Sequence, residues 1–126
     1  MAGNAQTRLI RGSCHCHAIR FEIDYDPERA ELRRCNCSLC RRKGAIMAAV
    51  PIGRFRLLSG IDSLTLYQWN LRIARHYFCR HCGIYTHHQR RSDPLQIGVN
   101  VGCLEAVDQS EFTTDVVGDG ASMSTE

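Results

Sequence analysis

Hydrophobic and polar positions alternate over short stretches along most of this chain, with a period of two. Ile19, Phe21 and Ile23 alternate with Arg20, Glu22 and Asp24, the pattern of a strand with one buried face. Asp26-Pro27 ends it, because proline has no N–H to donate to a ladder. Ala45 to Val50 is an apolar run closed by Pro51 and reads as a buried strand. Residues 55–58, 64–69 and 73–78 read as three more, with Ser59-Gly60 as a turn between the first two. Leu95, Ile97, Val99 and Val101 then alternate with Gln96, Gly98, Asn100 and Gly102, the cleanest strand signal in the sequence. One short helix is expected, starting at Ser38 as N-cap and stopping at Gly44. From Gly118 to Glu126 the residues are small and polar and read as a flexible tail. The expectation is a mainly β fold with one or two short helices, in a single domain over 1–126 with its core at about 8–117.

Composition agrees with a globular chain. Of 126 residues, 44% are hydrophobic, which excludes wholesale disorder. No apolar run approaches the roughly 20 residues of a membrane-spanning helix. The start, Met1-Ala-Gly-Asn-Ala-Gln-Thr, lacks the basic and apolar segments of a secretory signal. A cytoplasmic location is therefore expected. Cysteine is the unusual component, with 8 residues. Reducing surroundings keep thiols free, and thiols clustered at short spacings converge on a metal ion, for which zinc is the default.

The spacing divides the cysteines into groups. Cys14-x-Cys16 and Cys79-x-x-Cys82 are two short pairs far apart in sequence, the usual way a four-thiolate structural zinc site is assembled. Gly83 after the second pair allows the positive φ of a tight knuckle. Cys35-x-Cys37-x-x-Cys40 stands apart with three sulfurs. A three-ligand zinc keeps one position open, as catalytic sites do. A fourth protein ligand could instead close it, and Cys103, His15, His17, His81, His87 and His88 are available on paper. Cys103 itself reads as a buried small hydrophobe. The helix from Ser38 would point its N-terminal amides at Cys35–Cys40 and lower their thiol pKa values.

Charge adds one feature. Lys43 is the one lysine among 16 basic residues. Together with Arg29, Arg33, Arg34, Arg41 and Arg42 it flanks the central cysteines. A solvated face, a site for an anionic small molecule and a phosphate-backbone contact are all compatible with that run. No aromatic residue lies between Arg29 and Lys43, so the stacking half of a single-strand nucleic-acid site is missing.

Taken together, Gly12-x-Cys14-x-Cys16, Cys35-x-Cys37-x-x-Cys40-Arg41, Phe78-Cys79-x-x-Cys82-Gly83 and Val99-Asn100-x-x-Cys103-Leu104-Glu105 resemble the glutathione-dependent formaldehyde-activating enzyme family. The resemblance implies a β-tent scaffold of antiparallel coiled sheets joined by zinc knuckles, with up to two zinc ions per chain. It implies Cys14, Cys16, Cys79 and Cys82 as structural zinc ligands, and Cys35, Cys37 and Cys40 as ligands of the catalytic zinc. The implied activity is that of a carbon–sulfur lyase resembling S-(hydroxymethyl)glutathione synthase, joining a thiol such as glutathione to formaldehyde or a related carbonyl. Arg41, Arg42 and Lys43 carry the charge to hold the glutathione carboxylates. The alternative is a non-catalytic zinc-stapled module that binds a protein or nucleic acid. His17 departs from the family pattern, which commonly has glycine there.

Overall fold

The computed structural model describes residues 7–69, 72–90 and 93–118. Ten strands and one α-helix form among them: β1 (Arg8–Ser13), β2 (Arg20–Tyr25), β3 (Glu31–Cys35), α1 (Ser38–Lys43), β4 (Met47–Pro51), β5 (Phe55–Ser59), β6 (Leu64–Tyr67), β7 (Arg75–Cys79), β8 (Tyr85–Gln89), β9 (Gln96–Asn100) and β10 (Val117–Gly118). The fold is mainly β, as the alternation predicts. A three-stranded sheet runs β1-β2-β5, and a seven-stranded sheet runs β10-β3-β4-β9-β8-β7-β6. Neighbours pair antiparallel except β10, which lies parallel to β3. No helix among the described residues is long and apolar enough to cross a membrane.

The two sheets enclose one large apolar cluster. Phe21 and Ile23 from β2 meet Ala48 and Val50 from β4 and Val99 from β9, with Phe112 closing one end against Tyr25. On the opposite face of β2, Arg56 of β5 bonds Glu22 at 2.7 Å and takes Asp24 with two guanidinium nitrogens. Strand β2 thus keeps the one-sided burial read from its sequence. Strand β9 does not: Ile97, Gly98 and Val99 are all buried. The His88 imidazole lies against Gly98, where an added Cβ would come within 2.3 Å of its ring. Glycine is the residue that lets β8 and β9 pair with that ring between them.

Strands β1, β3, β8 and β10 go beyond the sequence expectation. Strand β3 has Leu32 as its one aliphatic residue, and β8 reads Tyr-Thr-His-His-Gln. Neither shows apolar alternation, so each is a strand because its neighbours supply ladders on both sides. Gly118, read as the start of the tail, pairs with Cys35 in β10, while the rest of that tail, 119–126, lies outside the described residues. The helix forms where expected, with one correction. Its N-cap is Cys37, whose sulfur accepts the Cys40 N–H, and Ser38 is the first helical residue. Gly44 ends it in the left-handed conformation at φ 65°.

Buried histidines give the fold a pH dependence. His87 stacks on Tyr77, lies tilted against Phe55 and shares a 2.9 Å hydrogen bond with Thr86. Burial holds its pKa down to about 4 against an ordinary 6.5. An unfolded chain therefore takes up a proton at this site as pH falls below 6.5, while the folded chain resists until about 4. The stabilising contribution is complete above 6.5 and is lost on the way down to 4. Between pH 7 and pH 5 the loss is roughly 2 kcal/mol. Thermal melts of the native protein and of His87→Phe, in the same zinc-containing buffers, should show a larger drop in Tm for the native chain. Parallel drops would mean that His87 is already charged in the fold.

Candidate metal centres

Two turns of similar construction bring the first group of sulfurs together. The chain leaving β1 turns through Cys14, Cys16 and His17, and the Cys14 N–H closes it on the Ile19 carbonyl at 3.1 Å. The chain leaving β7 turns through Cys79, Cys82 and Gly83, and the Cys79 N–H closes on the Ile84 carbonyl at 2.9 Å. Each turn needs one residue at positive φ, His17 at 67° and Gly83 at 78°. The departure at His17 therefore keeps the turn, with histidine in a conformation that costs an L-residue about 1–2 kcal/mol. Its imidazole Nδ1 lies 2.9 Å from the Ser13 hydroxyl, a contact that glycine could not make.

The sulfurs of Cys14, Cys16, Cys79 and Cys82 lie within 4.8 Å of one another. Cys16 is 3.7 Å from both Cys14 and Cys79. Backbone N–H groups point at the cluster, Ile19 donating to Cys14 at 3.3 Å and His81 and Cys82 to Cys79 at 3.3 and 3.5 Å. Such donors stabilise negative charge on sulfur. Cys14 and Cys79 are fully buried beside Ile19, with Leu57 and Leu64 around them, while Cys16 is exposed. Because Cys14 follows β1 and Cys79 ends β7, the cluster fastens one sheet to the other.

The thiol pKa values separate within this group. For Cys82, burial pushes upward, but N–H groups from Ile84 and Cys16 and the thiols of Cys79 and Cys14 outweigh it and bring it to about 6. For Cys16, the Ala18 N–H pulls down, but burial and hydrogen bonding with the three neighbouring thiols carry it up to about 11. Cys82 is thus the first of these two to present a thiolate.

The second group forms between the end of β3 and the first turn of α1. The Cys35, Cys37 and Cys40 sulfurs also lie within 4.8 Å of one another. Cys37 N–H donates to the Cys35 sulfur at 3.5 Å, and Cys40 N–H to the Cys37 sulfur at 3.3 Å. Cys37 and Cys40 are buried and Cys35 is partly exposed. Among the described residues, no further Cys, His, Asp or Glu joins this group. The pKa lowering expected from the helix does not hold for Cys40. Hydrogen bonding with Cys35, then burial, push its thiol up, against an opposing pull from Lys43. Cys103 is buried away from this group, and burial raises it to about 12, in keeping with the small-hydrophobe reading.

The basic residues around α1 separate in the structure. Arg34 donates to the Gly44 carbonyl at 2.9 Å and Arg42 to the Ser38 carbonyl at 2.8 Å, so both guanidinium groups tie down the helix backbone. Arg41 is exposed. Lys43 is turned inward, its Nζ buried and 3.4 Å from the centroid of the Tyr85 ring. Tyr85, His76 and His88 then form a polar group beside it, His76 buried and the other two partly so. The Tyr85 hydroxyl is 2.7 Å from His76 Nδ1, and the rings of His76 and His88 stack at 5.4 Å. Burial, then the Lys43 charge, lower His76 to about 4 and hold His88 well below its ordinary value. Sequence reasoning did not connect Tyr85 or His76 with the second cysteine group. The adjacent His87-His88 pair in a strand otherwise without charge was the available signal.

Asn100 also acquires a role. Its side-chain amide donates to the Tyr85 carbonyl at 2.8 Å and its oxygen accepts the Gly102 N–H at 3.0 Å. The Cys103 thiol reaches the same Tyr85 carbonyl at 3.6 Å. The two motif residues that belong to neither cysteine group thus converge on the backbone of Tyr85.

Both cysteine groups could each hold a metal ion. The donors are all sulfur, which suits soft or borderline cations, and all eight cysteines are free thiols.

Comparison with known proteins matches this architecture. A crystal structure of a Rhodobacter sphaeroides protein superposes with a TM-score of 0.77 and 48% identity, covering 86% of this chain and 98% of that one. A Halomonas elongata protein named "Putative glutathione-dependent formaldehyde-activating enzyme" is 47% identical over 34 residues, which is 27% of this chain and 21% of that protein. The chain thus spans about a fifth of that relative in the matched stretch. The family model described as glutathione-dependent formaldehyde-activating enzyme matches residues 9–117, nearly all the described structure. On that match, which takes in both cysteine groups and the Asn100–Cys103 segment, the chain belongs to the glutathione-dependent formaldehyde-activating enzyme family.

Proposed function

We propose that the chain is a zinc enzyme of the carbon–sulfur lyase type that joins a thiol such as glutathione to formaldehyde or a related small carbonyl. The observation that carries this reading is the second sulfur group. Three convergent cysteines stand apart from the four that fasten the sheets, and a purely structural module has no use for them. In this reading Cys14, Cys16, Cys79 and Cys82 hold a structural zinc, and Cys35, Cys37 and Cys40 hold the catalytic one. When bound at the three cysteines, zinc would supply Lewis acidity and a position for a soft ligand.

The reaction is redox-neutral. The thiol sulfur forms a bond to the carbonyl carbon, the carbonyl π pair moves to oxygen, and the oxygen gains a proton for the one lost from sulfur. Cys37 and Cys40 form the dry wall of the site, and Cys35 lies at its open side. Arg41, exposed at the helix surface, would meet a glutathione carboxylate, a contact worth about 1 kcal/mol or less at an exposed position; Arg42, bonded to the Ser38 carbonyl, would have to give up that bond to do the same. The nucleic-acid alternative loses support from the neighbouring residues, because Arg34 and Arg42 are hydrogen-bonded to the helix backbone and the Lys43 ammonium is buried. The thiol-rich, disulfide-free chain suits a reducing compartment such as the cytoplasm.

Calorimetric titration of zinc-loaded protein with glutathione and with S-methylglutathione, in two buffers of different ionisation enthalpy, tests the substrate. S-methylglutathione keeps both carboxylates but cannot become a thiolate. Glutathione should bind more tightly by at least about tenfold and release a proton near neutral pH, where a thiol of pKa about 8.5 is mostly protonated. Equal affinities without proton release would remove the thiol from the site.

A further inference from the structure

We propose that Lys43 is a positioning residue, the fixed counter-charge of the three-cysteine site, and that it makes this site favour a thiolate over a neutral molecule as its exogenous ligand. The inference rests on Cys35, Cys37 and Cys40 holding zinc. It adds a specificity-determining residue that none of the three cysteines supplies.

The placement of Lys43 is the first ground. Its ammonium is buried with no nitrogen or oxygen partner among the described residues; burial disfavours its charge, and the Cys40 sulfur is the hydrogen-bonding group that favours it. Ordinarily such an ion is expelled to the surface or paired, because the desolvation of a charge costs several kcal/mol. A tyrosine ring at 3.4 Å offsets part of that cost. The nearby groups able to offset the rest as anions are Cys40, Cys37 and Cys35, the three that act electrostatically on it. Lys43 follows Cys40 by three positions in α1, so both lie on one side of the helix.

The second ground is the support built around the ring. The Tyr85 hydroxyl is bonded to His76, and its carbonyl takes both the Asn100 amide and the Cys103 thiol. His76 and His88 stack beside it, each with one ring nitrogen unpartnered among the described residues. Lys43 is therefore held on a platform whose atoms are fixed from three sides. The family-motif residues Asn100 and Cys103 act on the second site through that platform.

The consequence follows from charge. Three thiolates around a dication leave one net negative charge, and a fourth thiolate makes it two. Inside a protein each uncompensated charge is expensive. An ammonium held in place returns the four-thiolate state to a single net negative charge. A neutral fourth ligand gains nothing comparable from it. Lys43 thus favours the anionic sulfur over water or an amine.

The test uses the full chain loaded with zinc, and separately with cobalt(II), whose thiolate charge-transfer bands report each sulfur bound. Lys43→Met keeps most of the side-chain volume and removes the charge, Lys43→Gln is neutral and polar, and Lys43→Arg keeps the charge. Chelator competition should show the second zinc bound at least about tenfold more weakly in Lys43→Met and Lys43→Gln. The first zinc should be unchanged in both, and Lys43→Arg should recover most of the loss. On the cobalt-loaded protein, 2-mercaptoethanol should lose affinity in Lys43→Met by a larger factor than imidazole does. Second-site affinity within twofold of native in the neutral variants, or an equal loss in Lys43→Arg, overturns the counter-charge role. A native chain that binds only one metal ion sinks the site reading as well, which separates the two failures.

Discussion

Replacing Cys79 by serine should give a chain that no longer melts cooperatively and no longer retains the first metal ion. Cys79 is 0% exposed, takes two backbone N–H bonds on its sulfur and ends β7 where the seven-stranded sheet meets the turn after β1. Structural zinc contributes on the order of 10 kcal/mol to the folding of small domains. Typical net stability is about 5–15 kcal/mol, so losing the site consumes most of it. Serine also leaves a hydroxyl among Cys14, Ile19, Leu57 and Leu64. Circular dichroism melts and metal analysis of Cys79→Ser, set against a native chain carrying two zinc ions, are the measurements. A cooperative melt within a few degrees of native would mean that the fold stands without this centre.

Cys37→Ser should behave in the opposite way. Cys37 is the N-cap of α1, its sulfur accepting the Cys40 N–H, and serine is among the best N-cap residues. The substitution therefore keeps the cap while removing one of the three proposed metal ligands, and the first cysteine group is untouched. We expect a Tm within a few degrees of native, one metal ion per chain in place of two, and loss of thiol–carbonyl adduct formation by about a thousandfold. That factor is about 4 kcal/mol of lost transition-state stabilisation. Exchange spectroscopy of glutathione with formaldehyde measures the rate. Retained activity with one metal ion would move the chemistry away from Cys35, Cys37 and Cys40. A collapse of Tm as large as that of Cys79→Ser would make the second centre structural.

The contrast between these two variants shows how differently parts of the molecule could be read in advance. The pairs Cys14–Cys16 and Cys79–Cys82 are legible because each is closed by a local turn, Cys14 to Ile19 and Cys79 to Ile84. Turn chemistry of this kind is written in a few consecutive residues. Strand β2 is legible for the same reason, its Phe21 and Ile23 facing one side in a strict period of two. Strand β8 is not. Its Thr86 and His87 are as buried as the aliphatic core, but polar side chains carry no hydrophobic period. Ladders to β7 and β9 place them, and the rings of Tyr77 and Phe55 enclose His87.

Lys43 is the sharpest case. In sequence it closes the run Arg41-Arg42-Lys43 and carries the same expectation as its neighbours, an exposed charge free to meet a carboxylate. In the structure the three diverge, Arg41 to solvent, Arg42 onto the Ser38 carbonyl and Lys43 inward over Tyr85. Composition and spacing determined what could be settled within a few residues: the mainly β class, the short helix at the central cysteines and the grouping of thiols in twos and threes. Tertiary structure decided what depends on residues distant in the chain. It pressed His88 onto Gly98 and set Tyr85, pinned by Asn100 and Cys103, beneath the lysine of α1. The physical reason is range: a turn or an alternation is specified by its own backbone, whereas the burial of a charge depends on what the rest of the fold brings beside it.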